Sequence, residues 1–488
     1  MNEFLKAMKN ETNYAVTENG ALTHRSTLNK VLDMFAMGGS MRNRRDDDVI
    51  NMFKSAYEED KTLALKCLFY LRDARGGAGE RRFFRVCYKW LAQEYYKEAI
   101  HLIPFVATYG RYDDLFVLEN TPCEFDMFNY LHTIVLENED HLVYKWLKSE
   151  NCSSAESKRF ARKTREAFHM TPRQYRKMLS EGRKACHLVE TLMSQNEWDA
   201  IAFDKLPSRA GLLYKKAFMR REETQERYAE FMSSKESKVN ASVLTPVEIA
   251  HQIFTTYRMP STVERQVWQK YWDNLKDYYH GREEPGIAVV DVSGSMSGVP
   301  MEAAVSMGAY IAERGKGPFH NHFITFSAYP QLVEFEGVDI YDKFYRARRA
   351  DWGMNTDIEA VFNMLLETGI RNHVPDAEMP KTIYIFSDME FDEGLVSEVG
   401  RYMNRGQIDT LIERKAKEWA SAGYTVPRII FWNLRAAQLN IPAIGPGFSY
   451  CSGFSMSALE GVLSGKDGIE MMLEMLGKDR YNPIVSIL

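Results

Sequence analysis

The chain has 488 residues, 45% apolar and 26% charged, a globular composition long enough for two or more cores. A net charge of −5 excludes a chain that is basic throughout, so any nucleic-acid surface has to be a local patch. Six scattered cysteines without a CxxC pair, no HExxH and no apolar run of membrane-span length speak against a disulfide framework, the common zinc motifs and a membrane protein. The opening Met1-Asn2-Glu3-Phe4-Leu5-Lys6 lacks a long apolar stretch, so a secretory leader is not expected and the expected location is cytoplasmic.

Residues 1–25 read as an N-terminal extension. From 26 to 280 the apolar spacing is helical, as in Phe53, Ala56 and Tyr57, in Leu63, Leu65, Leu68, Phe69 and Leu71, and in Leu188, Val189, Leu192 and Met193. Many helices with short breaks predict a stack of helix pairs, HEAT-like in geometry, although no sharp repeat consensus is visible. The turn Arg75-Gly76-Gly77-Ala78-Gly79 cannot be ordinary helix. It is flanked by Arg72, Arg81 and Arg82, and is either a phosphate cradle or a helix–helix turn with its arginines tied to Asp73 and Glu80. Arg111, in Tyr109-Gly110-Arg111-Tyr112, reads first as part of a structural turn and second as a nucleic-acid contact. Between Ser153 and Lys184 basic residues outnumber acidic ones, with Arg162 and Lys163 in one stretch and Arg173, Arg176 and Lys177 in another. A further cluster contains Arg209, Lys215 and Lys216. Such stripes are either solvated helix faces or phosphate contacts to RNA or DNA, and the latter would be strongly salt-dependent.

Character changes at the polar linker 281–286. From 287 to 488, strands alternate with helices, which predicts a mostly parallel sheet covered on both faces. The buried strand Ile287–Val290 empties into Asp291-Val292-Ser293-Gly294-Ser295, a carboxylate and two hydroxyls on one turn. Hard oxygen donors on a glycine-containing turn suit a Mg²⁺-type ion, and a strand's carboxyl end is where open α/β sheets bind ligands. A second buried strand, Thr382–Phe386, ends in Ser387-Asp388, and Thr356 lies in the loop between the two strands. If the strands are neighbours, Asp291, Ser293, Ser295, Thr356 and Asp388 converge. The plainer reading is an Asx or Ser turn capping the next helix, or a purely structural site. Catalysis is not expected: Met296, not Ser, occupies the centre of the nearest approach to a nucleophile elbow, and no His is close in sequence. The acids from Asp388 to Glu393 are expected to form a solvated acidic loop rather than a second metal site.

Those five residues, in that order, resemble the metal-ion-dependent adhesion site of von Willebrand factor A domains. The resemblance implies a Mg²⁺ held through Ser293, Ser295 and Thr356, with Asp291 and Asp388 acting mainly through water and a partner's Asp or Glu completing the shell. At the level of the whole chain, Asn19–Leu22 with Asp33–Phe35, the Leu71–Arg82 turn, Tyr109–Leu115, Leu206–Ala210 with Tyr214–Lys216, Trp352–Thr356 and Phe386–Glu393 resemble a TROVE-related family of unknown function. That resemblance implies an all-α helical-repeat region at 26–280, which can close into a ring, followed by a doubly wound A domain at 287–488. It also implies a non-catalytic role as an RNA-binding ribonucleoprotein scaffold, for small structured RNA or single-stranded ends. A metal-dependent protein-interaction or virion-assembly module without RNA is the alternative.

Overall fold

The computed structural model describes residues 12–137, 142–283, 285–326, 330–348, 357–392 and 410–486. The helical part begins with α1 (Lys30–Met37), α2 (Asp46–Glu59), α3 (Lys61–Arg72), α4 (Arg81–Glu94), α5 (Tyr96–Tyr109) and α6 (Glu124–Glu137). It continues through α7 (Ala155–Ala167), α8 (Pro172–Ala185), α9 (Ser208–Phe218), α10 (Glu222–Ser233), α11 (Pro246–Phe254) and α12 (Thr262–Asp273). Local chemistry sets these boundaries. Asp60 caps α3 by accepting the Leu63 N–H at 2.8 Å, and Thr171 and Gln174 form a capping box at α8 with Pro172 in its first turn. After α3 the chain turns so tightly that a Cβ on Gly77 would lie 1.9 Å from the Tyr70 carbonyl oxygen, and Gly79 has φ +68°. The glycines of this turn are therefore a steric requirement.

The strands of the α/β part are β3 (Gly286–Asp291), β4 (His322–Phe326), β5 (Gln331–Glu334), β6 (Thr382–Ser387), β7 (Arg428–Asn433) and β8 (Phe448–Ser452). They form a six-stranded sheet in the order β5-β4-β3-β6-β7-β8. All pairs are parallel except β4 with β5, so the sheet is doubly wound with one antiparallel edge. β3 and β6 are buried almost throughout, which is why they read as unbroken apolar runs. Among the described residues this half also carries the helices α13 (Val299–Arg314), α14 (Ile340–Ala347), α15 (Ile358–Arg371), α16 (Leu411–Ser421) and α17 (Gly468–Leu476).

Both ends of the helical array rest on the α/β half. At its start, α1 packs on β8, where the Gly39 N–H donates to Ser452 Oγ at 3.0 Å. Ser457 Oγ donates to the Gly77 carbonyl at 2.6 Å, and the buried Asp73 carboxylate takes Arg480 and the Tyr481 hydroxyl. At its far end α11 packs on α13, with His251 Nδ1 2.6 Å from Glu302 Oε2, and Trp268 of α12 stacks on Tyr341 of α14. The array thus closes through the α/β half.

Part of the 1–25 segment is built into the same structure. Strands β1 (Tyr14–Val16) and β2 (Leu22–His24) form a hairpin. Thr17 Oγ1 donates to the Phe391 carbonyl at 2.7 Å, and His24 and Ile441 form a backbone bridge.

Candidate metal edge and arginine-lined cavity

The winding of the sheet reverses between β3 and β6, and the loops after these two strands sit side by side at its carboxyl edge. Asp291 is fully buried; its Oδ1 accepts the Ser293 N–H at 2.9 Å and its Oδ2 accepts Ser387 Oγ at 2.5 Å. Ser293 Oγ and Ser295 Oγ lie 3.0 Å apart, with Ser295 exposed. Asp388 is also fully buried; Oδ1 accepts the Glu390 N–H at 3.2 Å, while Oδ2 has no hydrogen-bond partner among the described residues. Burial raises the pKa of both carboxyls, and the charge of Asp388 raises Asp291 further; Ser295 and Arg435 pull Asp388 the other way. Arg435 donates to the Ser295 carbonyl. Four of the five residues singled out in sequence are thus brought together, and Thr356 lies outside the described residues.

Two buried carboxylates with one oxygen unsatisfied, beside two serine hydroxyls, form a hard-oxygen donor set that fits Mg²⁺ or Mn²⁺ better than a thiophilic metal. Among the described residues no group of three or more His, Cys, Asp or Glu side chains is placed to hold a metal, so the hydroxyls are essential to that set. Of the acids expected to form a solvated loop, Asp388 and Glu390 are buried instead, Asp392 is half-buried, and Glu393 lies outside the described residues. Glu390 is buried, accepting the Glu18 N–H at 2.8 Å and Asn440 Nδ2 at 2.7 Å, and burial raises its pKa. The hairpin at the chain's start covers this acid, which sequence spacing alone does not reveal.

The basic residues separate into two sets. Arg72, Arg75, Arg111 and Arg209 line one cavity of about 630 Å³, together with Arg42, Arg81 and Lys276. Its walls come from the α3–α4 turn, α9, the start of α11, Val299 at the start of α13, and Phe454–Met456, so the cavity lies where the array closes. Sequence spacing marked the turn but not Arg81 as a site residue, nor Arg42 and Lys276; only the meeting of distant segments identifies them. Leu213, Val243 and Val247 add apolar surface.

Most of the cavity's arginines are already matched. Arg72 is buried and pairs with the fully buried Asp114 at 2.7 Å, so it is not free to contact a polyanion as sequence alone suggested. Arg42 pairs with Glu80, Arg209 with Glu248, and Arg111 with Asp113 at 2.8 Å while lying 4.1 Å over the Trp146 ring. Arg75 gives Nη1 to the Thr108 carbonyl at 3.0 Å, and Arg81 is exposed; neither has an ion pair among the described residues. Partial shielding of its guanidinium by the surrounding protein, then the charges of Arg111, Arg85 and Arg72, lower the pKa of Arg81, the mark of a cation among cations.

The other basic residues do not line this cavity. Arg162 on α7, Arg173, Arg176 and Lys177 on α8, and Lys216 on α9 are exposed. Lys163 is held by Glu119 and Glu124. Lys215 is buried, 4.7 Å over the Trp268 ring and bonded to Gln252, which removes it from any phosphate-binding face.

The sequence matches two family profiles, each described as a domain of unknown function: DUF2828 over residues 17–112 and 127–278, and DUF7788 over residues 285–480. An uncharacterized protein of Acanthamoeba polyphaga mimivirus is 30% identical, the match covering 97% of this chain and 89% of that protein. Among solved structures, the crystal structure of the Deinococcus radiodurans RO (RSR) protein aligns with a TM-score of 0.49 at 13% identity, over 93% of this chain and all of that one. The chain belongs to the DUF2828 family, with a DUF7788 domain as its α/β half.

Proposed function

We propose that this protein is a non-catalytic RNA-binding scaffold that holds a single-stranded segment in its arginine-lined cavity. The observation that carries this reading is the cavity itself. Six arginines and a lysine face one space of about 630 Å³ in a chain whose overall charge is negative. Arg75 and Arg81, which have no ion pair among the described residues, stand beside partly apolar walls that focus their field on whatever enters. Arginine guanidinium groups suit phosphate oxygens, and the apolar wall gives a base somewhere to lie. The exposed cations of α7 and α8 then act as an outer phosphate-contacting face.

Fluorescence anisotropy with single-stranded and duplex RNA across a salt series tests the reading. Single-stranded RNA should bind more tightly, with affinity falling steeply as salt rises. Arg75→Glu combined with Arg81→Glu should weaken binding by about 10-fold or more. Absent binding, or binding indifferent to salt and to these changes, overturns the proposal.

A second part of the reading concerns the metal edge. A Mg²⁺-dependent adhesion site of the von Willebrand factor A type is favoured by the unsatisfied Asp388 oxygen beside Asp291, Ser293 and Ser295. Asp291 and Asp388 would neutralise the ion, the two serines would supply hydroxyl ligands, and a partner's carboxylate would complete the shell. Mn²⁺ binding followed by electron paramagnetic resonance should be lost in Asp388→Ala; retention of the bound-metal signal would refute it.

A further inference from the structure

We infer that the arginine end of the cavity recognises a terminal phosphate monoester, the end of a strand rather than its interior. This rests on the RNA reading above and gives that site its ligand class.

The cavity's arginines differ in how far their charges are matched. Arg42, Arg72, Arg111 and Arg209 each have a carboxylate partner, so their charges are largely spent inside the protein. Arg75 and Arg81 have none among the described residues, and they flank the glycine turn that forms part of the cavity wall. Two unmatched guanidinium groups call for about two negative charges. A phosphodiester carries one, whereas a phosphate monoester carries about 1.5 to 2 near neutral pH and offers three strong acceptor oxygens. Two guanidinium forks can share those oxygens, an arrangement a diester with two free oxygens serves less well.

Size points the same way. The volume of about 630 Å³ lies in the range of small-ligand pockets, about 300–1,000 Å³, rather than that of a long groove. A strand end can place its last phosphate and base in such a space without threading onward. Leu213, which is 69% exposed, and Val243 supply apolar surface for that base.

Anisotropy with the full-length protein and one short single-stranded RNA in three forms, 5′-phosphorylated, 3′-phosphorylated and hydroxyl-ended, tests the inference, with nucleoside monophosphate and inorganic phosphate as competitors. One phosphorylated form should bind about 10-fold tighter than the hydroxyl form, the effect of one charge-assisted contact. Arg75→Gln and Arg81→Gln should each reduce that preference, and Arg81→Lys should keep part of it. Neither side chain has an ion pair among the described residues, so unchanged thermal melting is expected and serves as the folding control. Equal affinity for all three RNAs, or a preference surviving the double glutamine variant, overturns the inference while leaving RNA binding intact. Binding of nucleoside monophosphate that depends on Arg81, without binding of any RNA, supports the phosphate pocket and removes the RNA reading. No binding of any probe removes both.

Discussion

Lys215 and Lys216 are neighbours in sequence with opposite surroundings. Lys216 is exposed, while Lys215 is buried and its pKa is lowered to about 8, chiefly by burial, which disfavours the charged form. An unfolded lysine titrates near 10.4. Between those values the unfolded chain binds more protons, so the cost of burying Lys215 is fully present below pH 8 and is relieved as pH rises toward the unfolded value. Lys215→Met should flatten that rise in a series of denaturant midpoints against pH and leave RNA affinity unchanged. Lys216→Glu, in contrast, should weaken RNA binding without moving the midpoint. At the metal edge, Mg²⁺ at 100 times its dissociation constant should stabilise the fold by about 2.7 kcal/mol, an increment that differential scanning calorimetry should find absent in Asp388→Ala.

At the scale of elements, Asp114 organises the array's inner turn. Its two oxygens accept Arg72 Nε at 2.8 Å, Arg85 Nε at 2.7 Å and the Arg111 N–H at 2.9 Å, tying α3, α4 and the turn after α5 together. Removing it strands a buried guanidinium, so Asp114→Ala should cost about 3–5 kcal/mol in chemical denaturation. The seam between α1 and β8 is equally close: a Cβ on Gly39 would lie 2.6 Å from the Ser452 carbonyl oxygen. The buried strands and the Asp291–Ser295 turn were legible in the sequence because parallel strands bury both faces and so read as continuous apolar runs. The cavity was only partly legible. Arg72 and Arg75 are three residues apart and look alike in sequence, yet Asp114 claims the first and not the second. Partners that arrive from distant segments leave no local pattern. The same holds for Glu390, whose cover is Glu18 and Asn440.

At the scale of the whole molecule, the α/β half is the piece on which the two ends of the helical array meet. Asp73 binds Arg480 and Tyr481 at one contact, and His251 meets Glu302 at the other. Neither half presents a finished surface without its counterpart. Calorimetry should therefore show one main unfolding transition rather than two separated ones. Asp73→Ala should lower its midpoint and speed proteolysis at the glycine turn, which loses its anchor.

The short hairpin at the start of the chain has a consequence for synthesis. Thr17 bonds to Phe391 and Thr23 to Ile441, partners 374 and 418 residues downstream. A ribosome delivers β1 and β2 long before the segments they fasten to. The nascent hairpin must wait, unanchored, through translation of the entire array, and its docking becomes a late step of folding.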